Sequence, residues 1–232
     1  MEKLSELLQE EMLDNTVFTI PIGKGIGISE STVVSWIVMA VIILLCIILG
    51  SNLKVRNISR RQAAAEFIVT KLETMIVGFT GEGGRPYALY LFTVLLYIGL
   101  SNIIGIFGFK PPTKSLVVTA SLAVMSIILV QVASIRARTA KGWLHSFIEP
   151  VPVVLPFNIL DLITRPLSLC MRLFGNVLGA FVIMELLNTV TKVFVPAVFS
   201  LYFDLFDGLL QAYVFVCLTG RYISEATEIA EK

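Results

Sequence analysis

Charged residues are scarce in this sequence: 15% of its 232 residues are Asp, Glu, Lys or Arg, against 56% that are hydrophobic. The formal net charge is only +1, so the overall charge indicates neither a nucleic-acid partner nor an acidic one. A mean hydropathy of +0.86 lies well outside the usual range of soluble proteins. The composition therefore predicts an integral membrane protein.

Metal ligands and paired cysteines are also scarce. The cysteines Cys46, Cys170 and Cys217 all lie in apolar segments, without a CxxC pair and without a nearby histidine. Neither a disulfide framework nor a metal site is supported, and we expect no cofactor. His145 is the only histidine, and we interpret it as an interfacial loop residue. A membrane-embedded enzyme is disfavoured, because the sequence contains no nucleophile and base pair, metal cluster or phosphate-binding loop.

Long uncharged runs mark the membrane segments. Residues 31–50 form a run long enough to cross a hydrocarbon core of about 30 Å. Residues 87–135 are predicted to form a helical hairpin, with a tight turn at residues 110–114 that contains two adjacent prolines. Residues 155–224 are predicted to form a pair of longer helices. We expect an all-α integral membrane protein with about five membrane helices.

The remaining segments differ in their charge patterns. Residues 1–30 are mildly acidic, and we predict an external tail. Residues 51–86 begin with basic residues followed by apolar residues at spacings of three and four, which predicts an interfacial amphipathic helix on the cytoplasmic side. Residues 136–154 are interpreted as a basic cytoplasmic loop and residues 225–232 as a cytoplasmic tail. This topology, with the N-terminus outside, concentrates Lys and Arg on the cytoplasmic side, as the positive-inside rule requires.

The first helix of the last pair carries charges that a membrane span normally lacks. A charge at the bilayer centre costs at least about 2.5 kcal/mol, so such residues normally face a bundle interior or a watery path. One helical face, within about 40° of a single line, contains Asn158, Asp161, Arg165, Ser168, Arg172, Asn176 and Gly179. Glu185 and Asn188 project from roughly the opposite face. A salt-bridge cluster that merely holds helices together is the alternative, and the number of aligned positions argues against it.

Both helices of the last pair are unusually long. A helix from Pro156 to about residue 195 extends close to 60 Å at 1.5 Å per residue, about twice the thickness of the hydrocarbon core. It must therefore tilt strongly, bend or run partly in the membrane plane, and Pro166 interrupts its hydrogen-bond ladder. Beyond Pro196, four polar positions of the final helix share a face and can oppose the first stripe: Ser200, Asp204, Asp207 and Gln211.

Two motifs carry a family resemblance. The run Met171-Arg-Leu-Phe-Gly-Asn176 and the later run Gln211-Ala-Tyr-Val-Phe215 closely resemble the signature of subunit a of the bacterial F-type rotary ATP synthases. The resemblance also covers the order and spacing of the spans over nearly the whole chain. It implies a non-catalytic, ion-conducting stator subunit of the bacterial cell membrane. The implied partners are the c-subunit ring, the b-subunit peripheral stalk, the rest of the complex and the lipid bilayer, without nucleic acid.

The resemblance also implies roles for individual residues. Arg172 is expected to face the rotating c-ring, where its permanent charge favours the ionised form of a ring carboxylate and blocks direct passage of cations. Asn176 and Gln211 are expected to flank the arginine and to position it or line the path. Asp204 matches a position where family members carry an ionisable residue, which assigns it to the external half-channel. Two half-channels would pass H⁺ or Na⁺ to and from the ring.

Other assignments leave alternatives open. The family commonly carries Glu or His nine positions after its essential arginine, where this sequence has Phe181, and we hypothesise that Glu185 and Asp204 take over the external relay. Gly175 and Gly179 form a small-xxx-small pair that admits the ring closely or packs within this chain. Supporting roles are predicted for Asp161, Arg165, Ser168, Asn188 and Asp207. An internal ion-pair network is the alternative for the charged members of that group.

Two other functions would use the same features. A secondary transporter would bind its substrate with these charges, but transporters often show internal repeats and broken helices in matching positions, and here the polar residues are concentrated in the last two segments. A scaffold would dock partners on the basic amphipathic helix, a role that is compatible with the first. Co-purification of a c-type ring with soluble ATPase subunits would exclude both as sole functions.

Overall fold

The computed structural model shows a bundle of long helices preceded by a short β-hairpin. It describes residues 16–20, 26–51, 53–54, 59–107, 109–146, 155–190 and 199–228. Strands β1 (Thr16–Ile20) and β2 (Ile26–Ser29) pair antiparallel. This hairpin was not predicted within the external tail. Its first strand consists of β-branched and aromatic residues, which favour extended structure.

The main helices of the described chain are α1 (Glu30–Gly50), α2 (Arg60–Thr80), α3 (Ala88–Ile103), α4 (Leu116–Ser146), α5 (Leu155–Val190) and α6 (Gly208–Glu228). Short 3₁₀ turns lie at Glu82–Tyr87, Ile104–Phe107 and Pro112–Lys114, and a π-helical turn at Tyr202–Asp207 leads into α6. Within the described ranges, five segments are long and apolar enough to cross a membrane, and they lie along α1, α3, α4, α5 and α6. The predicted all-α architecture with five membrane helices is confirmed.

Helix α2 is the amphipathic helix between the first two spans. Ser59 caps its start, because the Ser59 hydroxyl accepts a hydrogen bond from the Gln62 N–H. Its end is set by Gly81, whose φ of 68° lies in the left-handed region that favours glycine. Ile76 is buried in the bundle, whereas Phe67 is largely exposed. The described part of the chain therefore covers the apolar face of α2 only partly.

The core of the bundle lies where α3, α4 and α6 meet. Helix α3 packs most extensively on α6, and α4 packs on both α5 and α6. The buried side chains at these contacts include Leu91, Ile98, Val130, Leu173, Phe215 and Val216. Helix α5 is held mainly by α4 and touches α6 only lightly. The described residues therefore leave one face of α5 beside α6 open.

Two sequence-based helix boundaries are wrong. Helix α4 continues to Ser146, so residues 136–146, including His145, belong to a helix and not to a loop. Arg, Ala and Lys are good helix formers, and the first proline after α4 is Pro150. Helix α6 continues to Glu228, so residues 225–228 are not part of a tail.

A further difference concerns the last span: the shared face of its four polar positions assumes α-helical spacing throughout, whereas the structure contains the π turn at Tyr202–Asp207. Parts of several predicted segments, namely residues 1–15, 21–25, 52, 55–58, 108, 147–154, 191–198 and 229–232, lie outside the described residues. The predicted break at Pro196 is among them.

Candidate functional site

Helix α5 packs an apolar face on the bundle, and its polar face lies beside α6 and is partly exposed. It runs for 36 residues through Pro166, about 54 Å at 1.5 Å per residue. Its buried side in the middle of the span consists of Leu169, Cys170, Leu173 and Phe174. Because this length exceeds the hydrocarbon core, the strong tilt stays our prediction for α5.

Arg172 lies on the exposed face of α5, far from both ends of its span. The span Leu155–Met184 extends about 26 Å before Arg172 and about 18 Å after it, at 1.5 Å per residue. Among the side chains that the structure describes, none forms a hydrogen bond or an ion pair with Arg172. A guanidinium carries five donors and stays charged. The described part of the chain therefore leaves its most central charge without a counter-ion.

One helical turn after Arg172, a short hydrogen bond joins α5 to α6. Asn176 Nδ2 donates to Gln211 Oε1 at 2.6 Å. Gln211 is only 4% exposed, and its Nε2 has no partner among the described atoms. The structure thus brings together the two amides that the family resemblance placed beside the arginine.

Two helical turns before Arg172, Arg165 makes a second connection to α6. Its Nη2 lies 3.1 Å from Glu225 Oε1 and 3.4 Å from Asp161 Oδ2. Its guanidinium carbon is 5.0 Å from the centroid of the Tyr222 ring, a cation–π distance. Asp161 and Arg165 therefore take part in an ion-pair network, the alternative role that the sequence left open for them.

Glu225 is the member of this network that the sequence analysis missed. It was assigned to the cytoplasmic tail, whereas it lies on α6. Extending the helical periodicity from Gln211 would have found it, because the two positions are separated by almost four whole turns and so share a face.

A cavity of about 380 Å³ adjoins the Asn176–Gln211 contact. Its polar lining consists of Asn102, Lys110, Lys114, Asn176, Asp207 and Gln211. It reaches from the turn between α3 and α4 to within one helical turn of Arg172. Asp207, a predicted supporting residue, thus lines the same space as Gln211.

Phe181, where the family commonly has an ionisable residue, also lines this cavity. Lys114 Nζ lies 4.3 Å from the centroid of the Phe181 ring. A cation–π contact therefore occupies the position at which a Glu or His was expected from the family pattern.

The glycines near Arg172 differ from those inside the bundle. A Cβ atom on Gly175 or Gly179 would meet nothing within 4 Å in the described chain. On Gly208 it would lie 2.6 Å from the Cβ of Asn102. Packing within the described chain therefore accounts for Gly208 but not for Gly175 or Gly179.

Three predicted site residues are not positioned by the structure, because the side chains of Glu185, Asn188 and Asp204 lie outside its described part. Ser168 is exposed on the Arg172 face of α5. Across the described residues, no group of three or more His, Cys, Asp or Glu could hold a metal ion.

Comparison with known proteins agrees with this architecture. The ATP synthase A chain family matches residues 32–224. ATP synthase subunit a 1 of Crocosphaera subtropica is 32% identical over 211 residues, covering 90% of this chain and 91% of the relative. ATP synthase subunit a 1 of Chlorobaculum parvum is 35% identical over 177 residues, covering 76% and 78%. ATP synthase subunit a of Albidiferax ferrireducens is 34% identical over 192 residues, covering 80% and 83%. The chain is thus a multi-pass membrane protein and belongs to the ATP synthase subunit a family, the membrane-sector subunit of that complex.

Proposed function

We propose that this chain is the ion-conducting stator subunit in which Arg172 faces the c-subunit ring. The observation that carries the proposal is the exposed guanidinium in the middle of the α5 span, without a described counter-ion. A charge at that depth costs at least about 2.5 to 3.5 kcal/mol. A carboxylate of an adjoining subunit would offset this cost, and each hairpin of a c-ring carries one in mid-membrane.

The contacts on either side of Arg172 suit a charge that is held in a fixed position while a partner moves past it. The bond from Asn176 to Gln211 and the pair of Arg165 with Glu225 connect α5 to α6 on either side of the arginine. The open surface at Gly175 and Gly179 would let a ring helix approach closely. We infer that contacts with α6 hold α5 rigidly on both sides of Arg172 along the helix, while the face that carries Arg172 stays uncovered.

In this mechanism the ring carboxylate carries the ion. When it arrives beside Arg172, the guanidinium favours its ionised form, and the ion leaves through one half-channel. After the carboxylate has passed the arginine, it takes up an ion from the other half-channel and returns to the lipid in neutral form. The driving force is about 2.3 kcal/mol per elementary charge for each 100 mV, plus the concentration difference. The subunit itself catalyses no covalent step.

We assign the cavity near Lys110 and Lys114 to the external half-channel. Its lining by Asp207 and Gln211, and its end within one turn of Arg172, support this assignment. Glu185 and Asp204 are retained as its proposed ionisable relay. The cytoplasmic half-channel would then lie on the side of Arg165.

The remaining partners follow from the same arrangement. With the N-terminus outside and the C-terminus in the cytoplasm, α2 lies at the inner surface of a bacterial cell membrane. Its exposed Phe67 and Ile68 are available to lipid or to the b-subunit peripheral stalk.

The test is ATP-driven ion uptake into vesicles that contain the whole complex. Arg172→Lys keeps one positive charge and removes the planar, permanently charged head group. We expect uptake to fall to background at equal assembly, while Arg136→Lys, an exposed substitution of the same kind on α4, keeps native uptake. Native uptake by assembled Arg172→Lys complexes would show that no guanidinium is needed there and would refute the proposal.

A further inference from the structure

A buried side chain of α3 holds the junction between the π turn and α6. Asn102 Nδ2 donates to the Gly208 carbonyl oxygen at 2.9 Å, and Thr113 Oγ1 donates to Asn102 Oδ1 at 2.7 Å. Asn102 is 5% exposed and Thr113 is fully buried. A single amide thus connects α3, the turn before α4 and the start of α6 away from solvent.

The π turn decides which way the side chains of α6 point. The Gly208 N–H donates to the Phe203 carbonyl, five residues earlier, which is the π pattern. A π turn inserts about one extra residue into the helix, and one residue corresponds to about 100° of rotation. Gln211 follows Gly208 by less than one turn, so its contact with Asn176 depends on the register that this turn imposes.

Close packing leaves little freedom at the junction. A Cβ on Gly208 would lie 2.6 Å from the Asn102 Cβ, so the side chain of Asn102 rests directly against the α6 backbone. Asn102, Asp207, Gly208 and Gln211 all line the same cavity. The amide that supports the π turn therefore adjoins the space that the turn shapes.

We propose that Asn102 is a positioning residue of the ion pathway, which holds the π turn in the register that places Gln211 against Asn176 and Asp207 at the cavity. The consequence for ion transport rests on the proposed function of the cavity as an external half-channel. The placement of Gln211 against Asn176 does not depend on that proposed function, and it is measured separately.

The geometric test uses thiol cross-linking in the whole complex. Cysteines replace Asn176 and Gln211 in a chain whose three native cysteines are changed to alanine, and a short bifunctional thiol reagent joins them. In that chain the native hydrogen bond between the two positions is absent, so their proximity depends on the π turn. Asn102→Asp keeps the size of the side chain and still accepts from Thr113, but a carboxylate cannot donate to the Gly208 carbonyl. We expect Asn102→Asp to lose most of the cross-linked product.

A matched pair controls for general loosening of the bundle. Ser35 Oγ and Tyr97 Oη lie 2.8 Å apart between α1 and α3, away from the π turn. Cysteines at these two positions, joined by a longer bifunctional reagent that spans the space left by the Tyr97 ring, should cross-link equally well with and without Asn102→Asp. Thr113→Val, which removes only the donor to Asn102, should reduce the 176–211 product, and Thr113→Ser should restore it. If Asn102→Asp fails to assemble, this Thr113 series decides the question.

The functional test is ion-driven ATP synthesis in vesicles at varied external ion concentration, with the native cysteines kept. We expect Asn102→Asp and Thr113→Val to raise the ion concentration for half-maximal rate several-fold and to leave the ADP concentration for half-maximal rate unchanged. Thr113→Ser should show the native ion concentration for half-maximal rate. Undiminished 176–211 cross-linking in Asn102→Asp would overturn the positioning role. Lost cross-linking with an unchanged ion dependence would overturn its place in the ion pathway. Failure of the proposed function would appear instead as native uptake by Arg172→Lys, which leaves the cross-linking result standing.

Discussion

Replacing Gly175 by leucine tests whether the open face of α5 belongs to a partner. Within the described chain a Cβ at this position meets nothing within 4 Å, and the residue is exposed. Glycine in a helix interior is less favourable than alanine by about 0.8 to 1.0 kcal/mol, and leucine is close to alanine. The substitution should therefore stabilise α5 slightly when the chain is considered alone.

The expected effect on the ring has the opposite sign. Glycines at this spacing let two helices approach closely, and extra methylene groups in a packed contact cost about 1 to 3 kcal/mol. Such a cost would weaken the association of the ring with this face by roughly 5- to 150-fold. The substitution would then stabilise the chain and weaken the association of the ring. Packing of Gly175 within the subunit alone would not produce this combination.

The assay measures retention of the c-ring by purified complexes after dilution in detergent, together with ATP-driven ion uptake. Gly78→Leu is the matched control, because Gly78 lies inside α2, is exposed and likewise has nothing within 4 Å of an added Cβ. We expect Gly175→Leu to lose ring retention and uptake while Gly78→Leu keeps both. Equal behaviour of the two variants would refute the view that a ring helix packs against Gly175.

Two further predictions concern the support of α5. Glu225→Gln should weaken the connection to Arg165 by about 0.2 to 1 kcal/mol, because the side chains of Arg165 and Glu225 are 25% and 52% exposed. The temperature at which the subunit dissociates from the complex should therefore fall slightly. A fall no larger than that caused by Asp161→Asn would contradict the connection of α5 to α6 through Glu225. Leu173→Ala, at a fully buried position, should cost about 2 to 5 kcal/mol and reduce the yield of assembled complex, whereas the exposed Leu167→Ala should leave the yield near native. Equal yields would show that α5 is not held through this face.

The membrane architecture could be predicted because each span carries its own signal. The run at residues 31–50 contains no charge, and the structure places α1 at Glu30–Gly50. The polar face of α5 was predictable for a related reason: its period of 3.6 residues continues through Pro166 without interruption. Both signals are local, and no distant contact is needed to read them.

The helix ends and the π turn could not be predicted in the same way. Ordinary residues differ in helix propensity by less than about 0.7 kcal/mol, so the polar residues after position 135 and after position 224 fit a helix and a loop almost equally well. Glu225 is held on α6 by contact with Arg165 on another helix. The π turn is supported by Asn102, which is 106 positions away from Gly208 in sequence. Only Gly208, a poor helix former that begins α6, hinted locally at an irregularity.

The two arginines of the α5 stripe differ in their partners, and this difference bears on function. An unsatisfied polar group in the membrane interior costs several kcal/mol, so a residue that only stabilises the fold should have its partner within the chain. Arg165 has such partners in Glu225 and Asp161. Arg172 lies on the same face two turns further on, deeper in the span, without a counter-ion among the described side chains. If stabilising the fold were the only role of Arg172, we would expect it to have an acidic partner within the chain, as Arg165 has. Stabilisation therefore accounts for Arg165, whereas the isolated charge of Arg172 favours a partner that arrives from outside the subunit.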